Sequence, residues 1–280
     1  MGACAGQMQV YSRGAMVYPT CRSKFPKNNY IEGFANMKMI LSLVAATALL
    51  VGANVQAIDV AAVNQALASA DRSDADKALD AARKPAEVLD FLGLEPGMTV
   101  LDVMSGGGWY TEVLSRAVGP NGKVYMQNSE AALARGTTQA TVDGRLARLA
   151  NVELLRADAT ADLTLPANSI DFAITNLNFH DVYNADPAAA QRFLVNIRNA
   201  LKPGAVLGLI DHRGNVGADN AALHRMPVEM ARAAALEAGF VIEEESELLF
   251  VPTDNRTQAP FAAELERNTD RFTLKLVKPE

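Results

Sequence analysis

Residues 99–112 read Thr99-Val100-Leu101-Asp102-Val103-Met104-Ser105-Gly106-Gly107-Gly108-Trp109-Tyr110-Thr111-Glu112. Thr99 to Val103 has the composition of a short buried strand. Three glycines follow, and Trp109 to Val118 reads as a helix. Glycine permits positive φ and lets a backbone approach a ligand closely. The start of the next helix aims unbonded N–H groups and the positive end of its dipole at whatever lies above it. The stretch therefore reads as a binding element between a strand and a helix.

Outward from it the alternation repeats. Further strands are predicted at Lys123–Gln127, Val152–Arg156, Ser169–Thr175, Ala205–Ile210, Phe240–Glu244 and Phe272–Lys278. Helices are predicted from Val60 to Leu79, from Ala86 to Leu92 with Pro85 in the first turn, and from the second strand's end through about Leu149. Two more are predicted at Ala188–Leu201, stopped by Lys202-Pro203-Gly204, and at Pro227–Ala238, capped by Gly239. Strands alternating with helices imply right-handed βαβ units and a mainly parallel sheet. Ligands in such sheets bind beyond the carboxyl ends of the strands.

Composition sets the outer limits. The chain has 280 residues, 49% of them apolar and 21% charged, which excludes wholesale disorder. Two cysteines cannot scaffold a chain of this size. A net charge of −6 gives no electrostatic footprint for nucleic acid. The charge is uneven. Residues 1–57 hold five basic side chains (Arg13, Arg22, Lys24, Lys27, Lys38) against the single acid Glu32, together with both cysteines, Cys4 and Cys21.

That first segment reads as an address. Lys38 precedes the apolar run Met39 to Val51, and Val55-Gln56-Ala57 supplies a small-residue cleavage site. This is the pattern of a secretory signal peptide over 37–57, and the run is shorter than the roughly 20 residues a membrane span needs. A buried core helix is the alternative. Residues 1–36 lengthen the n-region too far and read as a disordered or non-native leader, with translation starting at Met37 or Met39. The expected product is exported, periplasmic or secreted, without a membrane anchor. It has N-terminal helices over 58–96 and one catalytic-type domain over 97–280.

Two chemistries fit the glycine loop. A dinucleotide site wants G-x-G-x-x-G and an acid about 20 residues on. Thr111 stands at the third glycine position and Gln127-Asn128 ends the second strand, which disfavours a nicotinamide oxidoreductase. The acid four residues before the first glycine instead resembles motif I of class I S-adenosylmethionine-dependent methyltransferases. Asp158-Ala159 resembles that family's adenine-contact motif, Asn176-Leu177-Asn178-Phe179-His180 its motif IV, and Leu201-Lys202-Pro203-Gly204 a common signature before strand five. The resemblance covers about 87–278. More narrowly, the segments 106–112, 179–181, 223–225 and 269–272 resemble a group of exported bacterial methyltransferases.

The resemblance implies an α/β, doubly wound, mostly parallel Rossmann-like sheet of seven strands with the last antiparallel. It also implies methyl transfer from S-adenosyl-L-methionine to a small-molecule substrate. Asp102, Ser105, Gly106, Gly107, Gly108, Gln127, Asn128, Asp158, Ala159 and Asn176 would hold the cofactor. Asp102 would face its ammonium through water, Gln127 or Asn128 its ribose and Asp158 its adenine. Two positions depart from the family pattern: Met104 replaces a glycine, and the second strand ends in amides rather than an acid. For Asp102 a second reading stands, a carboxylate that caps the glycine turn.

His180, His212 and His224 are the only histidines, and all fall on one side of the predicted sheet. The resemblance puts His180 opposite the transferred methyl as the base, with Asp181 or Asp211 orienting an imidazole and His212 beside it. Tyr110, Asn178, His224 and Arg225 would meet the substrate. Arg225 and Arg271 either bind an anionic substrate or pair with the excess acids. The same histidines allow another reading: an exported binding protein of this fold for another small ligand or a divalent metal.

Overall fold

The computed structural model describes residues 57–135 and 138–280. The expected leader over 1–36 and nearly all of the expected signal peptide over 37–57 lie outside the described residues. Seven strands form one sheet: β1 (Thr99–Val103), β2 (Lys123–Asn128), β3 (Val152–Arg156), β4 (Ile170–Asn176), β5 (Leu201–His212), β6 (Val241–Ser246) and β7 (Arg271–Val277). Their order is β3-β2-β1-β4-β5-β7-β6. The first five are parallel, and β7 inserts antiparallel between β5 and β6. The order reverses at β1, so the carboxyl ends of β1, β2 and β4 frame a crevice.

The helices are α1 (Val60–Leu67), α2 (Asp74–Lys77), α3 (Asp80–Arg83), α4 (Pro85–Leu92), α5 (Trp109–Val118), α6 (Glu130–Leu133), α7 (Thr138–Leu146), α8 (Phe179–Ala185), α9 (Pro187–Ala200) and α10 (Val228–Glu237). α1, α4 and α5 cover one face of the sheet. Val63, Leu67, Val88, Leu89, Leu92, Val113 and Leu114 pack there with Val100, Phe172, Ile174 and Ile210 in one core. The 58–96 helices thus share the sheet's own core. Each large aliphatic side chain buried in it contributes roughly 1.5–3 kcal/mol. The other face packs on α8, α9 and α10 through Phe179, Phe193, Leu194, Ile197 and Ala231. Among the described residues, no helix is long and apolar enough to cross a membrane.

Three expectations change. The helix expected over 60–79 breaks after Leu67, and Ser73 starts a new turn by accepting from the Asp76 N–H. Arg72, 2% exposed, turns inward there and pairs with Asp80 while donating to the Leu67 carbonyl. The helix expected after β2 is two pieces, α6 and α7. Finally, Lys202-Pro203-Gly204 lies inside β5. Leu201 already pairs with Ile170, and the register shifts before Phe172 meets Val206.

Candidate active site

The glycine loop owes its shape to the residues after β2. The Gln127 side chain accepts from the Met104 N–H at 2.8 Å and donates to the Ala157 carbonyl at 2.7 Å. Asn128 accepts from the Gly106 N–H at 2.9 Å and donates to Ser105 Oγ and the Gly106 carbonyl. Both amides are 1% exposed. Both line the cavity where the ribose was expected, with their amides bonded to the glycine loop and to the Ala157 carbonyl. Met104 takes φ +52°, the left-handed conformation that glycine would adopt more easily. Gly108 takes φ +77° at the start of α5, with Met126 and Arg145 packed where a side chain would begin.

Asp102 sits beneath this loop, 2% exposed, and accepts from Thr111 Oγ1 at 2.6 Å. Burial pushes its carboxyl up to about 7, against the Thr111 bond and the charge of Arg145. It is absent from the walls of the cavities above, so of its two readings the structure gives the capping contact directly.

Two cavities meet over the loop. The first, about 270 Å³, is bounded by Gly106, Asn128, Asp158, Ala159 and Asn178. The second, about 450 Å³, is bounded by Ser105, Gly107, Asn176, His180, His212 and Phe261. Met104, Gly106, Asn178 and Asp181 belong to both walls. An added side chain on Gly106 would meet only open space, so the cavity reaches its Cα while Asn128 holds its N–H and carbonyl. Asp158 holds its turn by accepting from the Thr160 N–H and hydroxyl through Oδ1. Asn178 donates to the carbonyls of Met104 and Asn176, tying β4's end to the loop. A larger cavity of about 710 Å³ lies at the opposite, amino end of β2 and β3, beside Gly119, Lys123 and Val152, and contains none of the expected site residues.

The three histidines converge. His180 is 5.8 Å from His212 and 5.9 Å from His224, ring centre to ring centre. Asp211, fully buried at the end of β5, accepts from the His180 N–H at 2.7 Å and meets His180 Nδ1 at 2.6 Å. Asp181 Oδ1 lies 3.1 Å from His180 Nε2 and 2.9 Å from His224 Nδ1. Burial opposes a charge on His180, but Asp181 and Asp211 prevail and raise its pKa to about 10. An imidazolium has no lone pair to receive a proton, so the base expected of His180 is not available at neutral pH. His212 is the reverse: burial, then the charges of His180, Arg271 and Arg225, hold it well below the usual range. Its Nδ1 is 2.8 Å from Thr269 Oγ1, and among the described residues Nε2 has no protein partner.

Two expected substrate residues sit elsewhere. Arg225 is fully buried, paired with Asp254 at 2.9 Å and bonded to the carbonyls of Gln258 and Arg213, so it braces the 254–258 loop. Tyr110 packs in the core edge-on to Trp109, its hydroxyl buried without a partner. Sequence reasoning missed Arg83, Phe261 and Arg267, which come to the histidines from both ends of the fold. It also missed Arg145, which links the Gly107 carbonyl to Asp76 and Glu112. No local pattern marks any of these.

With this geometry in place, comparison with known proteins is decisive on one point. Residues 100–204 match the family described as methyltransferase domain. The match spans 105 of the chain's 280 residues. The domain's cofactor is S-adenosyl-L-methionine. Its residues 100–204 include the glycine loop, both amides after β2, Asp158 and the β4 end with His180. The chain is 30% identical over 124 residues to the ubiquinone/menaquinone biosynthesis C-methyltransferase UbiE of Hydrogenovibrio crunogenus, which is 44% of this chain and 45% of that protein. It is 32% identical over 124 residues to UbiE of Escherichia coli O1:K1 / APEC, covering 44% and 46%. The chain thus spans about half the length of the curated relatives it matches. A SAM dependent methyltransferase from Aquifex aeolicus superposes with a TM-score of 0.54 at 22% identity, over 78% of this chain and 97% of that one. The [4+2]-cyclase SpnF superposes at 0.53 with 20% identity, over 71% and 81%. These likenesses establish the methyltransferase fold, and they leave the reaction to the site.

Proposed function

We propose that the protein transfers a methyl group from S-adenosyl-L-methionine to a small-molecule acceptor. The observation that carries this reading is the coincidence of the matched segment with two adjoining cavities, one against Gly106 and Asp158 and one against the histidines. The residues fit the cofactor in shape. Gly106 allows backbone contact, Asp158 and Ala159 close the far end, and Asp102 sits below the loop. S-adenosyl-L-methionine supplies an electrophilic methyl on a sulfonium. The chain's task is to align the acceptor and accept a proton where it carries one. His212, held neutral, takes that proton at Nε2. His180, clamped by Asp181 and Asp211, presents a fixed positive charge beside the developing anion.

Calorimetric titration of the full-length protein with S-adenosylhomocysteine tests the reading. Binding is expected, and no binding at millimolar ligand would overturn it. His180→Ala should abolish turnover and spare cofactor binding. Full activity in that variant would remove His180 from the catalytic set.

One observation favours a second reading. His180, Asp181 and His224 each offer a ligand atom within 4.8 Å of the others, the span of a divalent metal site. A metal assay after dialysis against zinc or manganese distinguishes it, since a metal-free protein removes it. Export also belongs to this proposal and rests on the pattern at 37–57. N-terminal sequencing of the protein from a bacterial host should find Ile58 first, in the periplasm or medium. An uncut cytoplasmic chain would refute it.

A further inference from the structure

The second cavity adjoins a recess of about 70 Å³ with Arg83, Arg267 and Arg271 on its wall and His212 shared between the two. The recess has the volume of one oxyanion. Arg271 is 2% exposed. It donates to the carbonyls of Thr269 and Ala82, and among the described residues no carboxylate lies within ion-pair distance of it. Arg83 lies flat over Trp109, 4.4 Å from the ring centre, and makes no ion pair either. The acids nearest to it, Asp76 and Asp80, are engaged with Arg145 and Arg72. Asp270, beside Arg271 in sequence, is engaged with Arg256 and Arg213. Glu266 reaches the same wall from outside, exposed, and pairs with none of the three arginines.

A buried guanidinium ordinarily has a carboxylate or phosphate partner, because its desolvation is otherwise uncompensated. Arg271 stands here without one, and the half-buried Arg83 beside it has none either among the described residues. Burial and the charge of Arg83 draw Arg271 down to about 10. The Tyr110 hydroxyl, buried and unpartnered, lies within electrostatic reach of both. Two cations on the wall of one small recess are the donors of an oxyanion site, and the planar fork of arginine suits carboxylate and phosphate.

We infer that the methyl acceptor is an anionic small molecule whose carboxylate or phosphate docks between Arg83 and Arg271. The inference rests on the methyltransferase reading. It places the acceptor's charged end in the recess and its reacting end past His212, in the larger cavity. The cofactor's own carboxylate has the same chemistry, and the experiment separates the two sources.

Full-length protein is titrated with sodium acetate and with inorganic phosphate at constant ionic strength, with and without saturating S-adenosylhomocysteine. One of the two anions should bind in the millimolar range or tighter, equally well to the loaded protein. The anion that binds tells carboxylate from phosphate. Arg83→Gln should weaken that binding at least tenfold and leave S-adenosylhomocysteine affinity within about twofold. Arg83 is the position of choice because Arg271 also braces the Ala82 carbonyl. The inference is overturned if neither anion binds a protein that binds S-adenosylhomocysteine, or if Arg83→Gln binds as the wild type does. Competition between the anion and S-adenosylhomocysteine overturns it too, since the recess then belongs to the cofactor. Anion binding without any binding of S-adenosylhomocysteine would keep the oxyanion site and defeat the methyltransferase reading.

Discussion

Asp102 carries its charge at a cost. Among the described residues its one side-chain hydrogen bond is from the Thr111 hydroxyl, and burial raises its pKa to about 7. Below that pH the carboxyl is neutral and offers nothing to a cationic ammonium; above it the charge is present. Affinity for S-adenosylhomocysteine should therefore rise between pH 6 and pH 8 and stay flat in Asp102→Asn, as measured by titration at each pH. A flat wild-type profile would leave Asp102 with the turn alone. Gly108 shows the other kind of residue-scale constraint. A β-carbon there would sit 2.5 Å from Met126 Cε and 2.9 Å from Arg145 Cδ, at φ +77°. Gly108→Ala should cost on the order of 1–3 kcal/mol in urea unfolding. The glycines and Asp102 were legible in the sequence because their task is local. The two amides at the end of β2 were legible as site residues, but their hold on the loop was not, since their partners lie 22 to 30 positions away.

At the scale of elements, α5 is held by a charge inside the fold. Glu112 is fully buried and bonded by Arg116, Arg145 and Arg148. Burial works against its ionisation, but the three arginines prevail and set its pKa at about 2. The unfolded chain protonates near the ordinary value of 4.5. Its contribution to stability is thus complete above pH 4.5 and fades as pH falls toward 2. Glu112→Gln should destabilise by about 3 kcal/mol at pH 7, read by chemical unfolding, and narrow the gap from wild type in acid. Strands and long helices were legible because their periodicity is their own. The break after Leu67 was not, because an inward Arg72 looks like one more helix-surface residue until Asp80 meets it. α8 was missed for a related reason: Phe179 to Ala185 is seven residues long, and its buried face is set by Asp211 and α9 rather than by its own pattern.

For the whole molecule, the N-terminal helices are structural members of the sheet's core. A chain beginning at Gly97 would bare the face that α1 and α4 cover, where Val63, Leu67, Val88, Leu89 and Leu92 are all buried. Such a truncation should be insoluble or should lose its cooperative thermal transition, and a sharp transition would show that α5 alone suffices. This also explains which part of the site could be foreseen. His180, Asp181, Asp211 and His212 follow adjacent strands, so the topology brings them together. Arg83 and Arg267 arrive from elements that are neighbours only in space.

The contact between the Arg271 guanidinium and the Ala82 carbonyl spans 189 positions at 2.7 Å. It joins almost the first described helices to the final strand, across the mouth of the recess. A ribosome delivers Ala82 long before Arg271. The nascent chain can therefore lay down its glycine loop and first five strands long before the acceptor's berth exists. The recess between Arg83 and Arg271 therefore takes shape only once the last described strand has joined the sheet.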